Sequence, residues 1–218
     1  MTAHFVQLLD DLQRRSMRMA SLVEDVVQEA CEAVFDGNEK LARRVIGRDQ
    51  EVDVEEVQIE AEVVRLTALY QPVGSDLRLL YTVLKTNNNL ERIADCAVNI
   101  AERAEYLDRL AVGNQVNTVR QMTGIVQCML RVAIQAYGDQ DADRGYKVQS
   151  EDDAVDATYA QIIRSVVVDA AGNPDNMAAY LDILSIAKNL ERIADHATNI
   201  AEDVVYLSTG EIIRHQQR

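Results

Sequence analysis

The sequence predicts an all-α protein of two tandem three-helix bundles related by internal duplication, and three observations carry that reading. A thirteen-residue phrase occurs twice at an offset of one hundred, LERIADCAVNIAE at 90–102 and LERIADHATNIAE at 190–202, with eleven positions identical. Apolar residues recur with the 3.6-residue helical period through most of the chain. Across 218 residues only two prolines and nine glycines interrupt that pattern, and a 48% hydrophobic fraction with two Phe and no Trp requires a core of Leu, Val, Ile and Ala packed between helices. A repeat of this length is too long for one solenoid unit and fits a duplicated small domain. The break falls near Leu110 to Gln115, giving units 1–112 and 113–218.

In the first unit the periodicity predicts helices over residues 5–35, 41–69 and 77–110. Asp36, Gly37 and Asn38 mark the first turn. Pro72, Gly74 and Ser75 mark the second, with Ser75 as N-cap before an acidic first turn at Asp76. In the second unit the helices are predicted at 117–137, 143–171 and 174–207, separated at Gly138 to Asp141 and at Gly172 and Asn173. Asn173 before Pro174 reads as a helix start, because a side-chain cap precedes a proline whose missing N–H costs nothing there. All four turns are short, so consecutive helices run antiparallel.

The net charge of −14 repels nucleic-acid backbones and anionic lipid, and no Lys/Arg run offsets it. Arg14, Arg15 and Arg18 share part of one helix surface and read as a solvated face. Cys31, Cys96 and Cys128 are odd in number and lack the C-x-x-C spacing of zinc and redox sites, so they read as reduced thiols. The N-terminal MTAHFVQLLDDLQRR carries two aspartates where a secretory signal needs an apolar run, and no stretch of 18 apolar residues is present. The expectation is a cytoplasmic protein with no membrane insertion and no nucleic-acid partner.

On a helix turning about 100° per residue, Glu91, Asp95, Asn99 and Glu102 fall within about 80° of one another, while Ile93, Ala97, Ile100, Ala104 and Leu107 lie opposite. The second copy repeats the stripe with Glu191, Asp195, Asn199 and Glu202. The preceding helix of each half adds an i, i+4 pair, Asp49 with Asp53 and Asp152 with Asp156. Acids at i and i+4 repel, and a merely solvated face mixes Glu with Lys. Two facing helices, each with such a pair, can close several carboxylates around a hard or borderline cation. Solvated surface acids are the competing reading. Cys96 and His196 occupy equivalent positions about 140° from the first carboxylate of their helix and read as structural.

Nothing marks a catalytic centre. His4, His196 and His215 never follow a glutamate by three residues, as di-metal oxidases require, and there is no glycine-rich phosphate loop or nucleophile beside a base. The protein therefore reads as a non-enzyme without an organic cofactor.

The phrase L-E-R-I-A-D-x-A-x-N-I-A-E, the segment P-x-x-x-D-L-R at Pro72 to Arg78, and the paired upstream aspartates together resemble the PhoU family of phosphate-uptake regulators over nearly the whole chain. The resemblance implies two three-helix PhoU domains, a homodimer, and D/E-x-x-x-D metal sites. Carried over, it implies one site at Asp49, Asp53, Glu91 and Asp95 and another at Asp152, Asp156, Glu191 and Asp195, with Asn99 and Asn199 as weaker members. An all-oxygen donor set accepts Mg²⁺, Mn²⁺ or Fe, and Zn²⁺ with some histidine. The implied function is negative control of the phosphate-starvation response and of high-affinity uptake, as an adaptor between the phosphate ABC transporter's ATPase subunit and a sensor histidine kinase. A metal buffer or carboxylate metalloenzyme is the alternative. The segment before the second motif, NPDNMAAYLDILSIAKNLER, has no P-x-x-x-D-L-R, so the halves need not be equivalent.

Overall fold

The computed structural model describes residues 3–104, 106–107 and 111–213. Among the described residues six long helices follow one another: α1 (Ala3–Asp36), α2 (Glu39–Tyr70), α3 (Ser75–Ala101), α4 (Gly113–Asp139), α5 (Ala142–Gly172) and α6 (Met177–Thr209). Single 3-10 turns occupy Glu102–Ala104 and Pro174–Asn176. Helices α1, α2 and α3 pack on one another, as do α4, α5 and α6, and the two units join through α3 against α6 and α1 against α4.

Two turns behave as their residues dictate. The Asn38 side chain accepts the Leu41 amide at 3.1 Å and starts α2, and Asp141 accepts the Arg144 amide at 3.2 Å and starts α5. The expected caps at Ser75 and Asn173 do not form. Gly74 takes the cap position with φ of 59°, a conformation open to glycine, so Ser75 is already the first residue of α3. The Asn173 backbone N–H closes α5 on the Asp169 carbonyl, and Pro174 opens a 3-10 turn before α6 begins at Met177. Gly138 lies inside α4, where the left-handed residue that ends the helix is Gln140.

The third helix also stops before the predicted limit. It ends at Ala101, although Ala104 and Leu107 remain buried as its period requires. The chain has to turn into α4 at Gly113, whereas α6 runs on to Thr209. Glu105 and residues 108–110 of the predicted helix lie outside the described residues, as does His215.

The core is aliphatic. Val23, Val26, Ile59, Leu66, Leu90, Ile93, Leu130, Ile162, Leu190 and Ile193 are among its buried members. Between the units, Thr82 faces Asp203, Asn89 faces His196 and Arg103 faces Asp182, so α3 and α6 cross antiparallel about an internal pseudo-twofold. Ala94 and Ala97 of α3 and Ala194, Ala197 and Ala201 of α6 are buried, and the Ala201 backbone packs close to Gly145 of α5. In the α1–α4 contact the fully buried Tyr137 shares a hydrogen bond of 2.9 Å with the Ser16 hydroxyl.

Glycine positions provide a direct check of helix packing. A Cβ on Gly145 would sit 2.9 Å from the Ala201 carbonyl oxygen on α6, while one on Gly124 of α4 would meet nothing within 4 Å. Gly145→Ala is expected to lower stability by about 1–3 kcal/mol through overpacking. Gly124→Ala should raise it by about 0.5–1 kcal/mol through helix propensity. Urea denaturation followed by circular dichroism measures both, and changes of the same sign would contradict this packing.

Candidate functional site

The duplicated carboxylates lie on the sides of α3 and α6 turned away from the seam, toward α2 and α5. Packing places them there, because Ile93, Ala97 and Ile100, with Ile193, Ala197 and Ile200, are fully buried on the opposite side. In the first half Asn87, itself buried, donates to the Glu56 carbonyl at 2.9 Å and ties α3 to α2 beside the acids.

The structure brings each predicted quartet together electrostatically. Asp49 is raised above the usual carboxylate range by burial, then by Asp53 and by Asp95 across the helix pair. Glu91 is raised by burial, then by Asp95, with Glu56 and Asp53 adding to it and Arg92 opposing. In the second half the Asp195 carboxyl is pushed up to about 6, by partial burial and then by Glu191, Asp152 and Asp156, with Lys188 opposing. Since Asp195 is also open to water, repulsion from these three neighbours is what identifies the cluster. Thr198 donates to Asp152 at 3.3 Å and helps fix α5 against α6.

Among the described residues, no three His, Cys, Asp or Glu side chains lie close enough together to hold a metal ion as they stand. Like charges fan apart toward local cations: Arg92 lies 3.3 Å from Glu91 and 3.6 Å from Asp95, and Lys188 bonds to Glu191. The donor type suits a hard cation, since carboxylates on two facing helices raise one another's proton affinity.

The outer members of the stripe are engaged elsewhere. Asn99 donates to the Asp95 carbonyl at 2.8 Å on its own helix, and Glu202 accepts from Gln149 at 3.0 Å. Cys96 is buried in the α3–α6 seam, where burial pushes its thiol up to about 11. His196 Nδ1 lies 3.0 Å from Asn89 Oδ1, and burial lowers its proton affinity, aided by Arg192 and Arg92. Arg15 grips Glu55 at 2.7 Å and Arg14 pairs with Asp11 at 2.8 Å, so two of the three arginines of the basic cluster have acidic partners within the molecule.

Sequence reasoning missed Glu56, which is raised by burial, Glu60 and Asp53 and belongs to the first cluster. Its signal was legible: seven residues after Asp49 and three after Asp53, it extends their face. The duplication places Tyr159 at that position in the second half, and there the Lys188 ammonium lies 5.5 Å from its ring centroid. At the far end of the seam the buried Asp203 is pushed up to about 7 by burial and Glu202, and it bonds to Lys85 beside Tyr81 and Tyr206.

These shifts set a pH dependence. A carboxyl raised in the folded state contributes stability that is fully present at low pH and lost as pH rises through its folded value, here about 6 for Asp195. His196, lowered in the folded state, acts in the opposite sense. Comparison with Asp195→Asn separates the two: in chelator-treated protein the variant is expected to melt above the parent at pH 7.5 and to lose that advantage near pH 5. An advantage that does not change with pH would show that Asp195 is not in the cluster.

Comparisons with known proteins agree with this architecture. The PhoU domain description matches residues 16–104 and again 119–204. The chain is 37% identical over 208 residues to the phosphate-specific transport system accessory protein PhoU homolog of Aquifex aeolicus, covering 95% of this chain and 94% of that protein. The homolog of Caulobacter vibrioides strain NA1000 / CB15N is 35% identical over 222 residues, covering 100% and 96%. Among solved structures, PhoU from Pseudomonas aeruginosa superposes with a TM-score of 0.90 at 35% identity, covering 95% of this chain and 100% of that one. The phosphate transport system regulatory protein PhoU from Streptococcus pneumoniae gives 0.85 at 26% identity, covering 96% and 99%.

Proposed function

The chain belongs to the PhoU family, and from that premise we propose that it is an accessory protein of phosphate-specific transport. In this reading it restrains the phosphate-starvation response and high-affinity uptake. It does so as a cytoplasmic, non-enzymatic adaptor between the transporter's ATPase subunit and a sensor histidine kinase. The observation that carries the reading is a relationship to phosphate-transport accessory proteins that spans both repeats. Rigid helices with extensive outer faces suit the role, because an adaptor needs surfaces rather than a reaction centre. Among the described residues no helix is long and apolar enough to cross a membrane, so the reading takes the membrane components as partners.

Within this proposal the working units are 1–112 and 113–218, assembled as a homodimer. Asp49, Asp53, Glu91 and Asp95, and Asp152, Asp156, Glu191 and Asp195, would hold Mg²⁺, Mn²⁺, Fe or Zn²⁺. A bound cation would offset carboxylate repulsion and stiffen α2 against α3 and α5 against α6. A metal buffer is the second reading, favoured by the mutual raising of these same carboxyls.

Deleting the gene is expected to switch on a phosphate-starvation reporter in cells with abundant phosphate; a reporter left silent there would sink the regulator reading. For the metal sites, Mn²⁺ or Zn²⁺ should raise the melting temperature of chelator-treated protein, and a combined Asp95→Asn and Asp195→Asn variant should lose most of that rise. A parent protein that does not respond to any of the four metals would remove the sites from the proposal.

A further inference from the structure

Helix α2 is apolar on two opposite faces. Val45, Val52, Ile59, Val63 and Leu66 point into the bundle. On the other side Val54, Val57, Ala61, Val64 and Ala68 are all exposed, with the three valines 47%, 62% and 58% accessible. Their spacing alternates three and four residues, the pattern by which one helix presents a continuous seam to a second helix. A surface helix that needed only its own bundle would be polar there.

We infer that this face of α2 pairs with the same face of a second copy of the chain, the two helices running parallel and in register. The inference deepens the homodimer reading above and rests on it. The charges flanking the seam select the occupant. Glu60 borders it on one side and Arg65 on the other, and in a parallel, in-register pair a residue in the Glu60 position meets the residue five further along the opposing helix. Glu60 then faces the partner subunit's Arg65, and by symmetry the contact forms twice. Asp53 meets a neutral Gln58. An antiparallel pair would instead set the edge that carries Asp53 and Glu60 against the same acidic edge of the other helix. Arg65 presently pairs with Glu62 within its own helix, at 2.6 Å and partly in water, an exposed contact that is cheap to exchange.

The internal duplication supplies a control within the same molecule. Aligning the aspartate pairs sets Ala157, Ala160, Arg164, Val167 and Ala171 of α5 against the five seam residues of α2. Arg164 stands where α2 has Ala61, so a charge falls in the middle of the α5 face. Only the first half can close a dry seam, and a twofold pair built from it is complete at two copies rather than extending into a chain.

Sedimentation of the full-length protein tests the face. The parent is expected to dimerise reversibly, and Ala61→Arg, which copies the arginine of α5, should weaken dimerisation about a hundredfold or more, since it buries an unpaired charge. Helicity and melting of the monomer should be unchanged. The register is tested by charge reversal: Glu60→Arg and Arg65→Glu should each weaken the dimer, and the two together should restore it. A dimer that survives Ala61→Arg would overturn this face while leaving the dimer reading intact. A parent that stays monomeric at its highest soluble concentration would overturn both, and failure of the double reversal to restore pairing would overturn the parallel register.

Discussion

The close antiparallel contact of α3 with α6 is the constraint on which the rest of the structure depends. Polar pairs tie it along its length, Thr82 to Asp203, Asn89 to His196 and Arg103 to Asp182, with Cys96 buried among them. That contact consumes one face of each motif helix entirely. The acids of the motif are thereby left on the remaining faces, where α2 and α5 lie against them with acids of their own. The carboxylate clusters are thus a consequence of how the two halves meet, and the seam could not be rebuilt without moving them.

Duplication has kept this geometry while relaxing the chemistry around it. Glu56 and Glu60 of the first half correspond to Tyr159 and Ile163 of the second, and Asn88 corresponds to Lys188. The first cluster is therefore the more acidic, with Arg92 as its nearby cation. The second carries an ammonium bonded to Glu191 and set against an aromatic ring. The seam shows the same drift. Arg103 with Asp182 at one end is answered at the other by Lys85 with Asp203, so the α3 side supplies the cation and α6 the acid at both ends, against the symmetry of the repeat.

Much of the fold was legible because it depends on periodicity, which α1, α2, α4 and α5 express strongly enough to fix their extents within a few residues. What periodicity could not supply was the backbone conformation of the turns. Gly74 rather than Ser75 takes the cap because the turn after Pro72 needs a positive φ, and Asn173 was already committed to closing α5. The end of α3 was missed because Ala104 and Leu107 keep the helical period after the backbone has left it. At the candidate site, spacing singled out the eight paired acids. It did not find Lys188 or Arg92 as their counter-charges, since a cation's partner is chosen by the facing helix as well as its own. The half-buried bond of His196 to Asn89 was likewise hidden, because it joins residues from different halves.

The hydrogen bond between Tyr137 and Ser16 gives the molecule an optical reporter of its own assembly. The chain has no tryptophan to mask tyrosine absorption. A phenol open to water ionises near pH ~10, whereas complete burial holds the Tyr137 proton well beyond that. The bond spans α1 and α4, and so bridges the two repeats. Its phenolate band in alkali would therefore emerge only when the halves part, and an ultraviolet difference spectrum would follow their separation without any attached dye.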